Sequence, residues 1–454
     1  MNSLNPSRRS LMKFAGTLLS MGAIGWSPTA RAALSDYRAL VCLNMIGGND
    51  GNNMVVPLDS TRYGRYVQLR SPSGLALSVA AQTLLPPRVV ALKGTASPTD
   101  QPFALHYGMP ELDGLFGDGK LAVVLNAGSL IQPLTKAQYT AGVAVPSQLF
   151  SHSDQILQTQ AGAPTGSGTG WGGRLLDSMG AAGPLDAVSI DNTGLFVEGA
   201  VAHGNMVPST SELAISGMNF WPQSAADARR AALVQLLSAE QGNIMAKAAN
   251  QALLNGLNVS AVLRSARSSS LLSSTFPGTS LGQQLKLVAQ LIHARSKEGP
   301  GRQAYYVSIG GFDTHSSQSW QHWNLLSQVS KALAAFQAAM EEASLAQQVT
   351  TFTLSEFGRT MAPNSSGTDH GWGNHQLVLG GAVVGGLYGE FPDFIMGGAD
   401  DATARGTWIP RYSNQQFGAT LGRWFGVDSQ VLVGTVFKAG LANFAQKDIG
   451  FMGG

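Results

Sequence analysis

The sequence predicts an α/β protein with a mostly parallel central sheet, helices on both faces, and loop and helical insertions. Three observations predict it. Short apolar runs rich in Val, Leu, Ile and aromatics end in glycine or polar residues, as strands buried on both faces do. Helical patterns lie between those runs, and strands alternating with helices build a mostly parallel sheet. Glycine, at 55 of 454 residues, exceeds the usual roughly 7% and points to many tight loops.

The strands are expected at 39–46 (ALVCLNMI), 121–127 (LAVVLNA), 186–190 (DAVSI), 304–309 (AYYVSI), 349–354 (VTTFTL) and 376–381 (QLVLGG). Helices are expected at 226–256, at 279–297, where Leu285, Val288, Leu291 and Ile292 form one stripe, and at 320–347, where Leu325, Leu326, Val329, Leu333 and Phe336 do. Between Gly162 and Gly173 the run Thr165-Gly166-Ser167-Gly168-Thr169-Gly170 reads as a flexible loop, and 262–281 is Ser-rich. Neither looks like a linker between domains, and no repeat of 20–50 residues is visible. The economical organisation is one domain over 33–454 with a helical excursion at about 200–275.

The N-terminus reads differently. Ser7-Arg8-Arg9-Ser10-Leu11-Met12-Lys13 precedes an apolar run from Phe14 to Trp26 and then Ala30-Arg31-Ala32, the three parts of a cleavable export signal at 1–32. The paired arginines resemble the twin-arginine export signal, which implies passage through that export machinery to the periplasm or the exterior; a general secretory signal with a chance Arg pair is the alternative. The apolar run is shorter than the roughly 20 residues of a membrane span, and no later stretch reaches that length without polar interruption, so the mature form is expected to have no membrane span. Lys and Arg number 29 against 27 Asp and Glu, a net charge of +2. The signal holds Arg8, Arg9, Lys13 and Arg31 and no acid, so the mature chain has a net charge of −2. That argues against a nucleic-acid-binding surface, which needs a clustered basic excess. Cys42 is the single cysteine, which excludes an intramolecular disulfide, a thiolate cluster or a CxxC redox pair.

In an open α/β sheet, ligands bind beyond the carboxyl ends of the strands. Three predicted strands deliver acids there: Gly47-Gly48-Asn49-Asp50-Gly51-Asn52-Asn53, Gly310-Gly311-Phe312-Asp313-Thr314-His315, and Ser355-Glu356-Phe357-Gly358-Arg359-Thr360. A fourth segment, Gly367-Thr368-Asp369-His370-Gly371-Trp372-Gly373-Asn374-His375, adds one Asp and two His. Like charges brought together repel, so Asp50, Asp313, Glu356 and Asp369 need a cation or a basic partner to converge. With His315, His370 and His375 they offer nitrogen and carboxylate donors without thiolates, a set that suits Zn, Mn or Mg depending on how many histidines bind, as one or two ions. Each acid beside glycine can equally be an ordinary turn residue. His203, His293 and His322 read as structural.

These motifs, with LVLGGAVVGG after the fourth, resemble those of the DUF1501 family, exported proteins of unknown function placed in the alkaline-phosphatase-like superfamily, and the resemblance covers nearly all of the mature chain. It implies an alkaline-phosphatase/sulfatase-like fold. It also implies that Asp50 is the metal-binding Asp after the first strand and that Asp313 and His315 are the next Asp and His, although one residue separates them here and three in the phosphatase pattern. Glu356-Phe357 stands where that pattern has Asp-His, so either His370 supplies the missing nitrogen or the second metal position is weakened or absent. His375 matches the final His. Since it precedes its strand, that strand must run antiparallel to bring it to the others. Ser151, in Leu149-Phe150-Ser151-His152-Ser153-Asp154-Gln155, matches the nucleophile that opens a helix, where backbone N–H groups can hold an oxyanion; an N-cap role is the alternative. His152 is a general acid, a ligand or a phosphate contact. Arg359 is either the fork that grips an anion or a salt bridge holding a motif acid. His106 and Gly170-Trp171-Gly172-Gly173-Arg174 also look family-like without an assignable role.

The function expected from this pattern is exported, metal-dependent hydrolysis of a phosphate or sulfate ester, on an anionic small-molecule or polymer substrate. A non-catalytic envelope protein that binds metal, carbohydrate or a protein partner on the same scaffold is the alternative, and a metal-free protein in which the His/Asp loop is a brace is the third.

Overall fold

Along β1 (Arg38–Met45), Ala39, Val41, Leu43 and Met45 enter one apolar core while Leu40 and Cys42 enter another. A strand whose alternate side chains are buried on both faces must be covered on both faces, and this one is. In the computed structural model, which describes residues 37–78, 88–89, 102–181, 183–212, 215–239, 242–269, 272–295, 301–438 and 440–453, the first core is closed by the helices Ser280–His293 and Gln318–Glu342. The second is closed by Trp171–Ser178 and Asn414–Phe425. The predicted stripes face inward: Leu285, Val288, Leu291 and Ile292 on one helix, Leu326, Val329, Leu333 and Phe336 on the other, are all buried in the first core. Each such side chain contributes about 1.5–3 kcal/mol by leaving water.

The remaining strands, in chain order, are β2 (Val55–Pro57), β3 (Arg88–Val89), β4 (Pro102–Leu105), β5 (Leu121–Gly128), β6 (Ala187–Ile190), β7 (Asn205–Val207), β8 (Arg302–Ile309), β9 (Val349–Leu354), β10 (Arg359–Asn364), β11 (Gly367–His370), β12 (Asn374–Leu379), β13 (Gly386–Tyr388) and β14 (Tyr412–Ser413). The main sheet among the described residues runs β13-β5-β12-β9-β1-β8-β6-β7, with β14 also on β5. β1 pairs in parallel with β8 and β9, and β6 with β7 and β8. β12 is antiparallel to both of its neighbours, β5 and β9. The expected α/β class, with its mostly parallel sheet, is the architecture observed; β12 is reversed as expected, but His375 is its second residue and does not precede it.

Several local expectations change. The helical pattern at 226–256 is two helices, Gln223–Ala239 and Ile244–Ser269. The Gly162–Gly173 stretch is only partly a loop, because Trp171 opens the helix Trp171–Ser178, and Gly170 and Gly173 lie so close to the backbone of 195–199 that a side chain could not fit. The hairpin of β10 and β11 over 359–370 was not legible as strands; its alternation is broken by Pro363 and by a register shift. The expected signal at 1–32 lies outside the described residues.

Candidate metal centre

Because β1, β8 and β9 are parallel neighbours in register, with Met45 opposite Ile309 and Asn44 opposite Leu354, their carboxyl ends share one edge of the sheet. The segments 46–50, 310–315 and 355–359 leave that edge together. Gly47 turns there with φ of +118°, and a Cβ on it would press into the backbone of Phe312 and Asp313. Gly367 lies equally tightly on Thr314 and His315, which brings the β10–β11 hairpin over the same edge. The glycines of the motifs are therefore what lets the chemistry-bearing segments touch.

At this junction Asp313 is the hub. Its Oδ1 stands 3.0 Å from His315 Nε2, 3.3 Å from His370 Nε2 and 2.9 Å from Arg359 Nη1, and its Oδ2 stands 3.5 Å from His152 Nε2. His315 Nε2 and His370 Nε2 are 3.1 Å apart. His152, Asp313 and His370 each offer a ligand atom within 4.8 Å of the others. Tetrahedral ligands at roughly 2.0–2.1 Å from an ion lie about 3.3 Å from one another, so most of these separations are those of a ligand shell.

The His370 tautomer follows from its outer contact. His370 Nδ1 is 2.7 Å from the Phe150 carbonyl, which can only accept, so Nδ1 carries the proton and Nε2 presents a lone pair to the centre. Burial lowers the His370 pKa, the bond to Phe150 opposes this, and the nearby His152 and Arg359 charges lower it further, so the ring is held neutral. His315 Nδ1 faces Asp369 Oδ1 at 3.2 Å and Asn364 Nδ2 at 3.4 Å, while its Nε2 faces Asp313 Oδ1, so Asp369 orients the ring and its contacts single out no tautomer. A carbonyl and a carboxylate behind imidazoles are the partners that orient metal-binding histidines. His152 Nε2 is enclosed and makes no hydrogen bond. Lone pairs from several imidazoles facing one carboxylate require positive charge between them, either shared protons or a cation.

Behind the centre, Arg359 is fully buried and its fork is committed. Nη1 donates to Gly47 O at 3.0 Å as well as to Asp313, Nε donates to Thr368 Oγ1 at 2.9 Å, and Nη2 donates to Thr368 O. Of its two expected roles the structure displays the salt bridge, to Asp313. Partial burial alone would raise the Asp313 pKa, but the Arg359 contact, with the His315 and His152 charges, holds it below the usual carboxylate range.

The other expected site residues are placed as follows. Asp369 lies one layer out, bound by Arg405 Nη1 at 2.7 Å, by Asn364 and by His315. Glu356 is buried and accepts the Gly47 and Gly48 N–H groups at 2.8–3.0 Å; its Oε1 is 3.7 Å from His152 Nδ1. Phe357 stacks on His370 with ring centres 4.7 Å apart. Asp50 is not brought into the group. It is wholly buried against Arg70 at 2.6 and 3.1 Å and accepts from Gln318. It is linked to Asp313 indirectly, through Gln318, Thr368 Oγ1, which donates to Gln318 Oε1 at 2.6 Å, and Arg359. His375 is buried, accepts the Asn126 N–H on Nδ1 at 3.0 Å, and burial pushes its pKa down to about 4. Ser151 sits at the N-cap of His152–Ala161 but does not cap the backbone, since its Oγ donates to Asp154 Oδ2 at 2.6 Å. Arg70, Gln318, Asn364, Asp154 and Arg405 escaped the sequence reading because nothing in their local pattern marks the partners they meet.

No curated protein matches the chain. Among solved structures it is similar to the lipoteichoic acid synthase LtaP from Listeria monocytogenes (8% identity, TM-score 0.35, 91% of this chain and 78% of that one). It is also similar to the PsFucS1 sulfatase from Pseudoalteromonas sp. (10%, 0.35, 94% and 73%) and to the phosphonate monoester hydrolase of Agrobacterium radiobacter (7%, 0.32, 86% and 74%). At these TM-scores the likenesses carry no argument about activity. The sequence itself is decisive at family level: residues 37–437 match the model described as protein of unknown function (DUF1501), and the chain belongs to that family.

Proposed function

We propose that this protein is an exported, metal-dependent hydrolase of phosphate or sulfate esters whose divalent ion is held by His152, Asp313, His315 and His370. The observation that carries the proposal is the spacing of His152, Asp313 and His370, with His315 Nε2 3.0 Å from Asp313 and 3.1 Å from His370, and an enclosed Nε2 on His152 that makes no hydrogen bond. An imidazole-rich set fits Zn or Mn better than Mg. Bound there, the ion would polarise an ester oxygen and favour ionisation of a hydroxyl beside it. Phe150 O fixes the tautomer of His370, Asp369 orients the His315 ring, and Arg359 fixes the Asp313 carboxylate. Ser151, next in sequence to His152, is the attacking group; Asp154 orients its hydroxyl, and the first-turn N–H groups of His152–Ala161, to which it gives no side-chain cap, face the same end of the helix. With Arg359 committed to the fold, the exposed guanidinium of Arg405 on Asp369 is a cation that can meet an anionic small-molecule or polymer substrate. Export through the twin-arginine machinery as a single 33–454 domain belongs to the same proposal.

The test is turnover of p-nitrophenyl phosphate and p-nitrophenyl sulfate by the metal-loaded mature chain. Loss of turnover by about 100-fold or more in Ser151→Ala, with metal content retained, supports it. Metal binding without turnover of either ester favours the non-catalytic binding reading, which the commitment of Arg359 to backbone and Asp313 already supports.

A further inference from the structure

The helical excursion carries a surface that the candidate site does not use. Gln223–Ala239 and Ile244–Ser269 pack side by side, with Asn250 Nδ2 bonded to Leu237 O at 3.1 Å. Among the described residues one end of the pair is anchored: Val259, Leu263 and Ala266 enter the main core, and Arg267 bonds to backbone carbonyls of Pro208 and Ser211. Ile244 lies fifteen residues from Val259, about 22 Å along a helix rising 1.5 Å per residue. At that far end Leu236, Ile244 and Met245 are 69%, 83% and 76% exposed.

These residues continue into stripes. Ala225, Arg229, Ala232 and Leu236, spaced at helical period, are all exposed on the first helix, and Met245, Ala248, Ala249 and Ala252 are exposed on the second. Charge on the pair is one-sided. Residues 223–269 contain Arg229, Arg230, Lys247, Arg264 and Arg267 against Asp227 and Glu240, a local net charge of +3 in a mature chain of −2; Arg264 and Arg267 belong to the anchored end and the other three to the open part. Arg229 is exposed within the first stripe, where its Nη1 also donates to Gly217 O at 2.8 Å, and Lys247 is exposed beside the second. Trp221, just before the first helix, is 89% exposed. Large apolar side chains left open beside cations are the composition of helices that lie in a lipid interface. No helix among the described residues is long and apolar enough to cross a membrane.

We infer that this helical pair docks the protein onto an anionic membrane surface, with Leu236, Ile244 and Met245 entering the headgroup boundary and Arg229 and Lys247 meeting lipid phosphates. A second copy of the chain would bring like charge onto like charge at this face, which is why the anionic bilayer is the occupant favoured.

The test uses the full mature chain, phosphatidylcholine vesicles and vesicles of phosphatidylcholine with phosphatidylglycerol, and flotation as the readout. The chain should float with the anionic vesicles and far less with the neutral ones, and added salt should weaken it. Each basic residue near an anionic surface strengthens binding about fivefold, so Arg229→Glu with Lys247→Glu should weaken it about 25-fold or more. Leu236→Ser with Ile244→Ser and Met245→Ser should weaken it about tenfold or more. All five positions are exposed, and unchanged melting of either variant set suffices to read the result. Failure to float with anionic vesicles, or equal binding by a folded variant, overturns the inference. So does self-association in light scattering that the apolar variant abolishes while vesicles are ignored. None of these results depends on the metal centre.

Discussion

Replacing Asp50 by Asn decides whether this residue belongs to the fold or to a metal shell. The carboxylate and the Arg70 guanidinium are both fully buried, 2.6 Å apart at the shorter contact, and Arg70 also donates to Asn53 Oδ1 and to the carbonyls of Thr360 and Met361. Asp50→Asn keeps the volume and one acceptor but leaves the Arg70 charge uncompensated in the interior. Removing one partner of a buried ion pair costs about 3–5 kcal/mol. The substitution should therefore lower the unfolding free energy by that amount, measured by urea unfolding followed through tryptophan fluorescence, and by the same amount with EDTA present. Metal affinity of the folded variant, measured by chelator competition, should stay within about tenfold, the lower edge of outer-contact effects. Burial by itself would raise the Asp50 pKa, but the Arg70 contact, aided by the His322 and Arg359 charges, holds it below the ordinary 3.8. A depressed carboxylate pKa contributes stability that is present above the unfolded value and lost as pH falls through the folded one, so the difference between variant and parent should shrink in strong acid. A variant within about 1 kcal/mol of the parent in EDTA that has lost metal binding would refute this reasoning and return Asp50 to the ligand shell.

Arg359→Lys keeps the charge but not the fork that spans Asp313, Gly47 O and Thr368 O; metal affinity should drop about 10–100-fold by chelator competition, and parent-like affinity would show that Asp313 needs no brace. His322 and His375 are buried and held neutral, both with pKa values pushed by burial from 6.5 down to about 4. The unfolded chain takes up their protons first, so stability should fall as pH drops from about 6.5 to 4, by roughly 3 kcal/mol per histidine. Equal urea midpoints at pH 7 and pH 4.5 would contradict their burial.

The fold was legible where one physical signal dominated. β1, β5, β8 and β9 are apolar runs that only a doubly covered sheet accommodates, and the helices Ser280–His293 and Gln318–Glu342 carry stripes with one inward face. The short strands β7, β13 and β14 have no such signal; their three or two residues pair because neighbours are already in place. At the site, the motif segments were legible because glycines beside acids mark close backbone approach, as Gly47 and Gly367 show. Which acid faces which partner was not. Asp50 and Asp313 occupy equivalent strand ends, yet one is enclosed by Arg70 from the helix Ser60–Arg70 and the other is open to three histidines. That difference lies in tertiary contacts across 20 residues in one case and up to 161 in the other, where local pattern carries no information. His152 shows the same limit: its sequence role was open among three, and only its position beside Asp313 and His370 makes it a ligand candidate.

The central claim is a divalent ion at His152, Asp313, His315 and His370. Elemental analysis of the mature chain, purified without chelator and compared with a His152→Ala, His370→Ala double variant of parent-like circular dichroism, tests it most directly. About one equivalent of Zn or Mn per chain is expected in the parent, consistent with a four-donor site, and its loss in the variant. A folded parent that holds no ion and takes none up, or a double variant that keeps its metal, would contradict it.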